Sequence, residues 1–306
     1  MRRLIKDIVF FVCLHCGYVQ VRDAILSMLG RSRAVVVYYH RIGRRDGLSK
    51  PTAEFRRDLR YLKRHYRCVS LFELCRLLRE GTPLRRRLAV VTFDDGYRDN
   101  YVEAAPVLLA ERVPATFYVS TGFIGTDRVF GHDAAGHHPD SPEECRFPKL
   151  TWEDLRVMER AGFEIGAHTV NHVDLGRAND HTAQREVAES VAALDRELGP
   201  RPRAFSFPWG KPENISLPAL RAVREAGCYS AASAYGGCNS RGSTTCNIQR
   251  VDVGNGELSR LAVRARIAGL DLAYLRLRLG NRLRPFLELV ARDSSVRSHA
   301  GAENAG

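Results

Sequence analysis

Three short segments hold side chains able to do chemistry together: Asp94-Asp95-Gly96, the pair His168 and His172, and Pro208-Trp209-Gly210. Neighbouring carboxylates repel unless a cation or a shared proton lies between them. Two histidines four residues apart can turn both imidazoles to one side, and with one carboxylate they make a face that leaves positions open on a divalent metal ion. Those positions suit a water and a substrate carbonyl, so the chemistry expected is hydrolysis. It also divides the aspartates. Asp95 joins His168 and His172 as a metal ligand, and Asp94, outside the ligand set, is the general base. Zn2+ is the first expectation for the ion, with another divalent transition metal as the alternative.

Elements must bring these segments together, and each segment follows an apolar run of strand length: 88–93, 163–167 and 204–207. Further strands are expected at 35–39, rich in β-branched and aromatic residues and ending in His40, and at 115–120, 229–233 and 249–253. Helical spacing places helices between them, at about 104–111, 152–161, 182–198 and 218–226. Alternation of this kind predicts parallel βαβ units in an α/β barrel or open sheet, whose strand C-terminal ends share one mouth. Adjacent strand residues face opposite sides, which would separate Asp94 from Asp95, and Gly96 lets the chain turn so that both reach that mouth.

Bulk properties bound the rest. The 306 residues carry a formal net charge of +12 and 44% hydrophobic content, expected of one folded α/β domain with terminal additions. The excess is scattered arginine with no zinc-finger spacing and no aromatic-basic stripe, so nucleic acid is not expected as a partner, while an anionic membrane surface or acidic glycan is compatible. Eight irregularly spaced cysteines suggest reduced thiols, and Cys13-x-x-Cys16 has no second pair nearby. Residues 1–33 read as an amphipathic helical segment ended by Gly30, 34–257 as the catalytic domain, 258–291 as a terminal helix with a basic face and 292–306 as a tail of little apolar content. The apolar run at 8–14 is too short to span a bilayer, and no cleavage-site pattern follows it, so the expected location is cytoplasmic, with residues 1–30 resting on the inner membrane surface. The Gly-, His- and Pro-rich stretch 122–148 is too long for an ordinary connection and is expected to shape a site, with His132, His137 and His138 as surface or rim residues left out of it.

Thr92-Phe93-Asp94-Asp95-Gly96-Tyr97, His168-Thr169-Val170-Asn171-His172 and Phe205-Ser206-Phe207-Pro208-Trp209-Gly210 resemble the polysaccharide deacetylase family, or NodB homology domain, over roughly residues 34–255. The resemblance implies a distorted (β/α) barrel, here with added N- and C-terminal helices, that hydrolyses N-acetyl groups on sugars. It implies the same division of labour: Asp94 as base, and Asp95, His168 and His172 on the metal. It gives Trp209, where the family commonly has tyrosine, the backbone N–H that stabilises the oxyanion, and it suggests Tyr97, Pro208 and Arg250 as substrate contacts. Ser206 departs from the arginine common in the third motif, and Arg250 is the candidate to supply that charge. The family's late histidine that protonates the leaving amine has no counterpart after residue 210 other than His299, in the tail. Members that process biofilm exopolysaccharide look circularly permuted, with this histidine in an early strand ending Tyr-His, and the run 35–41 fits them with His40 as general acid.

The expected substrate is an N-acetylated sugar in a polysaccharide, an oligosaccharide or a lipid-linked glycan. The competing readings are hydrolysis of a small cyclic imide or ureide on the same scaffold, and a non-catalytic carbohydrate-binding relative. A binding module has no need of a base beside a metal, and acetate release separates the two enzymes.

Overall fold

The computed structural model describes residues 2–134, 147–279, 285–288 and 290. His137, His138, Cys145 and the tail expected at 292–306 lie outside them.

Two helices, α1 (Arg2–His15) and α2 (Tyr18–Met28), precede the barrel and meet at Gly17, whose φ of 84° suits glycine. The barrel begins with β1 (Ala34–Tyr39); a two-residue pair follows, β2 (Arg41–Ile42) and β3 (Ser49–Lys50), then α3 (Thr52–His65), β4 (Arg67–Cys68) and α4 (Leu71–Arg79). Strand and helix then alternate: β5 (Leu88–Phe93), α5 (Ala105–Glu111), β6 (Ala115–Val119), α6 (Gly131–Ala134), α7 (Trp152–Arg160), β7 (Glu164–Ala167), α8 (Asp180–Leu198), β8 (Ala204–Ser206), α9 (Leu217–Glu225), β9 (Ser230–Ala232) and β10 (Arg250–Asp252). The single terminal helix expected over 258–291 is broken among the described residues, where α10 (Arg260–Ile267) and α11 (Leu272–Leu279) are separate. Gly269, at φ 79°, ends the first, with Leu270 N–H closing onto Ala265 O.

All pairings in the main sheet are parallel, in the order β10-β1-β5-β6-β7-β8-β9, with β4 beside β5. A parallel bridge from Ala232 to Ile248, two residues before β10, brings the last strand round to the first and nearly closes the barrel. A parallel barrel buries both strand faces, which is why the strands read as continuous apolar runs.

Parity sorts those faces. Val35, Val37 and Tyr39 of β1, and Ala89, Val91 and Phe93 of β5, join the large core shared with the surrounding helices. Ala34, Val36, Leu88, Val90, Tyr118 and Ala204 join a smaller interior cluster, capped by Leu71, Leu74 and Leu78 of α4 where the strands begin. On this parity Asp94 and His168 continue the interior rows of β5 and β7 into the mouth, and His40 does the same for β1.

Candidate active site

Asp94 is buried at the end of β5, and its partner is Arg250 on β10. The guanidinium is fully buried and all five of its N–H bonds are used. Nη1 and Nη2 donate to the two Asp94 oxygens at 2.7 and 2.8 Å, and the rest go to Ser206 Oγ, Thr92 Oγ1 and Ser233 O. Arg250 thus takes up the position that Ser206 leaves empty, and the fork matches the carboxylate geometrically. Burial acts to raise the Asp94 pKa, but Arg250, with His168 and His40 behind it, outweighs that and holds the carboxyl below its ordinary range.

Asp95 lies on the other parity, and the backbone overcomes this. Asp95 itself adopts φ 77° and Gly96 φ 92°, so the chain turns and the second carboxylate enters the mouth. Of the five described non-glycine residues with positive φ, four are Asp95, Thr169, His172 and Trp209, so the strained backbone is concentrated here.

Asp95 Oδ1 is 3.5 Å from His168 Nε2 and 3.3 Å from His172 Nε2, and Oδ2 is 3.4 Å from His132 Nε2. Both oxygens are buried without a hydrogen-bond partner among the described residues. Separations like these are long for hydrogen bonds, yet they match the edge of a tetrahedron with bonds of about 2.0–2.1 Å. The donor atoms of Asp95, His168 and His172 all lie within 4.8 Å of one another. His168 Nδ1–H donates to Ser206 O at 2.7 Å, which leaves the Nε2 lone pair free for a cation. Burial holds the His172 pKa below its ordinary value, favouring the neutral ligand form, while histidine contacts hold Asp95 well below its own against the opposing effect of burial. The three residues fit a divalent cation.

His132, expected at the rim, is in the site. Tyr97 O–H donates to Asp133 Oδ2 at 2.8 Å, so the 2.9 Å contact from His132 Nε2 to the same phenol must be a donation by the imidazole. His132 Nε2 also lies 3.4 Å from Asp95 Oδ2, the oxygen turned away from His168 and His172. Sequence spacing could not choose among three histidines in one irregular stretch. Glu186 was missed as well. Its carboxylate accepts from Val170 N, Asn171 N and Asn171 Nδ2 at 2.7–3.0 Å and so holds the loop that carries His172. The available signal was a carboxylate on the apolar stripe of α8, between Ala183 and Val187 on one side and Ser190 on the other.

The three substrate contacts suggested by resemblance are all buried. Tyr97 and Arg250 have no exposed surface and Pro208 is buried; Arg250 pairs with Asp94, and Tyr97 bonds to Asp133 and His132. Trp209 is the exposed member of that loop, 46% accessible and packed on the His172 ring at 4.6 Å. Its φ is 56°, and among the described residues no backbone carbonyl accepts its N–H. His40 is half-buried at the opposite lip, edge-on to Tyr38, and Asn100 Nδ2 donates to its carbonyl at 2.7 Å.

Comparison with known proteins decides the family. The polysaccharide deacetylase sequence profile matches residues 81–230, spanning the Asp-Asp, His-x-x-x-His and Pro-Trp-Gly segments. The chain carries a polysaccharide deacetylase domain at residues 81–230. It is accordingly a hydrolase of carbon–nitrogen bonds other than peptide bonds, on the family's (β/α) barrel. The polysaccharide deacetylase relative YxkH of Bacillus subtilis strain 168 is 27% identical over 222 residues, 72% of this chain and 71% of that one. The poly-β-1,6-N-acetyl-D-glucosamine N-deacetylase of Escherichia coli strain K12 is 23% identical over 57% of this chain, which spans only 30% of that protein. IcaB from Ammonifex degensii shares the fold with a TM-score of 0.64 at 24% identity, over 77% of this chain and 95% of that one. The Streptococcus pyogenes deacetylase PplD, solved with acetate, does so with a TM-score of 0.62 at 20% identity, over 78% and 99%.

Proposed function

We propose that this polysaccharide deacetylase removes N-acetyl groups from N-acetylated sugar units of a glycan, whether polysaccharide, oligosaccharide or lipid-linked, with one divalent metal ion, Zn2+ by donor set. One observation carries the reading: Asp94, held ionised by Arg250, stands beside the Asp95, His168 and His172 cluster under the exposed Trp209.

A cation held by Asp95, His168 and His172 would supply Lewis acidity, polarising the acetyl carbonyl and making water easier to deprotonate. Asp94 takes the proton as the water oxygen bonds to the carbonyl carbon. The Trp209 N–H donates to the oxygen on which negative charge develops, and loss of one such donor would raise the barrier by about 3 kcal/mol. His40, across the mouth, gives a proton to the nitrogen as the C–N bond breaks, leaving acetate and a free amine. Arg250 stays beneath and fixes the Asp94 carboxylate.

The name of the Escherichia coli relative makes β-1,6-linked N-acetylglucosamine oligomers the first substrate to assay. Acetate should be released from them, and Asp94→Asn should slow that release by about 10²–10⁴. Turnover of cyclic imides without acetate release from any N-acetylated sugar would overturn the reading. The seven described cysteines are free thiols, which supports a cytoplasmic location as part of the proposal.

A further inference from the structure

The N-terminal helices lie outside the catalytic machinery and carry an unusual surface. Ile8, Val9, Phe11 and Val12 of α1, and Tyr18, Val21, Ile25 and Met28 of α2 with Leu29 after it, are each between 45% and 73% exposed. These nine account for more than half of the exposed large apolar residues described in the molecule, in 22 consecutive positions. On α2 they recur at 18, 21, 25 and 28, one continuous stripe. Exposed patches of this kind mark interaction sites.

The face is uncharged. Between residues 8 and 29 only Arg22 and Asp23 are charged if the histidine is neutral, and both are tied down: Arg22 to Asp23 and to Ala268 O, Asp23 also to Arg87. Positive charge lies along its edge. Gln20, Ala24 and Ser27, the flank of α2 beside the stripe, line a groove with Arg64, Arg67, Arg85, Arg86 and Arg87. Ser27 Oγ donates to Arg85 O, and Arg31 bridges to Leu84, so Arg31, Arg85 and Arg86 gather at the end of α2, next to Met28 and Leu29. None of these three arginines has a carboxylate partner among the described residues, and all three are exposed. No single described helix is long and apolar enough to cross a membrane; Ile8–His15 and Tyr18–Met28 together meet that length and composition, but they are bent by 49° at their junction.

We propose that this face docks on an anionic phospholipid bilayer, with the α1 and α2 stripe immersed among the acyl chains and Arg31, Arg85 and Arg86 at the phosphates. An uncharged apolar stripe edged by arginines is the surface such a bilayer complements; a protein partner would have to match both the stripe and the basic rim. The position in the fold adds a consequence. Residues 31, 85 and 86 precede the first residues of β1 and β5, whereas Asp94, Asp95 and His168 follow the C-terminal ends of strands. The docked barrel therefore turns its mouth away from the lipid, toward glycan about 20 Å or more from the surface, β1 alone being six residues of about 3.3 Å each.

Flotation of the full chain with vesicles tests this. Vesicles of phosphatidylcholine with one third phosphatidylglycerol should carry the protein at low salt, and pure phosphatidylcholine should carry at least tenfold less. Val21→Glu with Ile25→Glu should abolish flotation, and Arg85→Glu with Arg86→Glu should remove the preference for anionic vesicles. Both double variants should keep wild-type melting temperature and wild-type turnover of soluble substrate, which makes the readout independent of folding and of the proposed activity. Three results would overturn the proposal: flotation unchanged in both variants, a wild-type dimer that Val21→Glu with Ile25→Glu converts to monomer, or resistance to alkaline carbonate extraction with one end protected from protease.

Discussion

Asp94 and Asp95 are adjacent in the chain and opposite in circumstance, because one is met by a guanidinium and the other by imidazoles. Asp94→Asn should keep the metal and lower kcat by about 10²–10⁴, the span of general-base catalysis, whereas Asp95→Ala should lose metal and activity together; metal content and turnover on the same preparations check both. Arg250→Met leaves a buried carboxylate alone, so we expect a loss of about 3–5 kcal/mol in urea unfolding at neutral pH. The sign follows from the depressed folded pKa of Asp94: its pairing stabilises above the unfolded value near 3.9 and that contribution fades as pH falls through the lower folded value. Wild type should therefore lose part of its advantage over the variant at low pH, and an advantage that grew on acidification would refute the pairing. His132→Ala should weaken metal affinity about 10–100-fold, measured by chelator competition, since Asp95 Oδ2 then loses its outer imidazole neighbour.

At the scale of elements, strand alternation explains what could be read in advance. The apolar runs at β1, β5, β6 and β7 and the turn signal of Gly96 were visible, and with them the three loops that converge. The bracing could not be read. Nothing local in the sequence says that Arg250 points into the barrel to meet Asp94 across 156 residues, or that Glu186 reaches the loop before it. Those contacts exist only once the sheet closes. Glu186→Ala should strand two backbone N–H groups and the Asn171 amide, costing about 3 kcal/mol in unfolding, and should weaken the metal site by displacing His172. The five residues at 100–104 form a single π-helical turn, irregular geometry that helical periodicity does not encode, and it places Asn100 against His40. Asp99, at its edge, is pushed by burial up to about 7. A raised carboxyl pKa stabilises below the unfolded value near 3.9 and that stabilisation is lost as pH rises through 7, so Asp99→Asn should flatten the dependence of melting temperature on pH between about 4 and 7.

The whole molecule divides its work between the two ends of one barrel. The ends where strands begin are closed by α4 and bordered by the arginines beside α2, while the ends where they finish collect every group the proposed hydrolysis uses. The net charge of +12 was legible in the sequence, but its placement was not: arginines scattered along the chain gather at α2 only through the barrel's connections. What unites the account is a single cation gripped at the mouth by Asp95, His168 and His172. Calorimetric titration of chelator-stripped protein with Zn2+ tests this most directly. Wild type and Asp94→Asn should each bind one ion per chain, and Asp95→Ala should show no saturable site; an Asp95→Ala isotherm matching wild type would contradict the account.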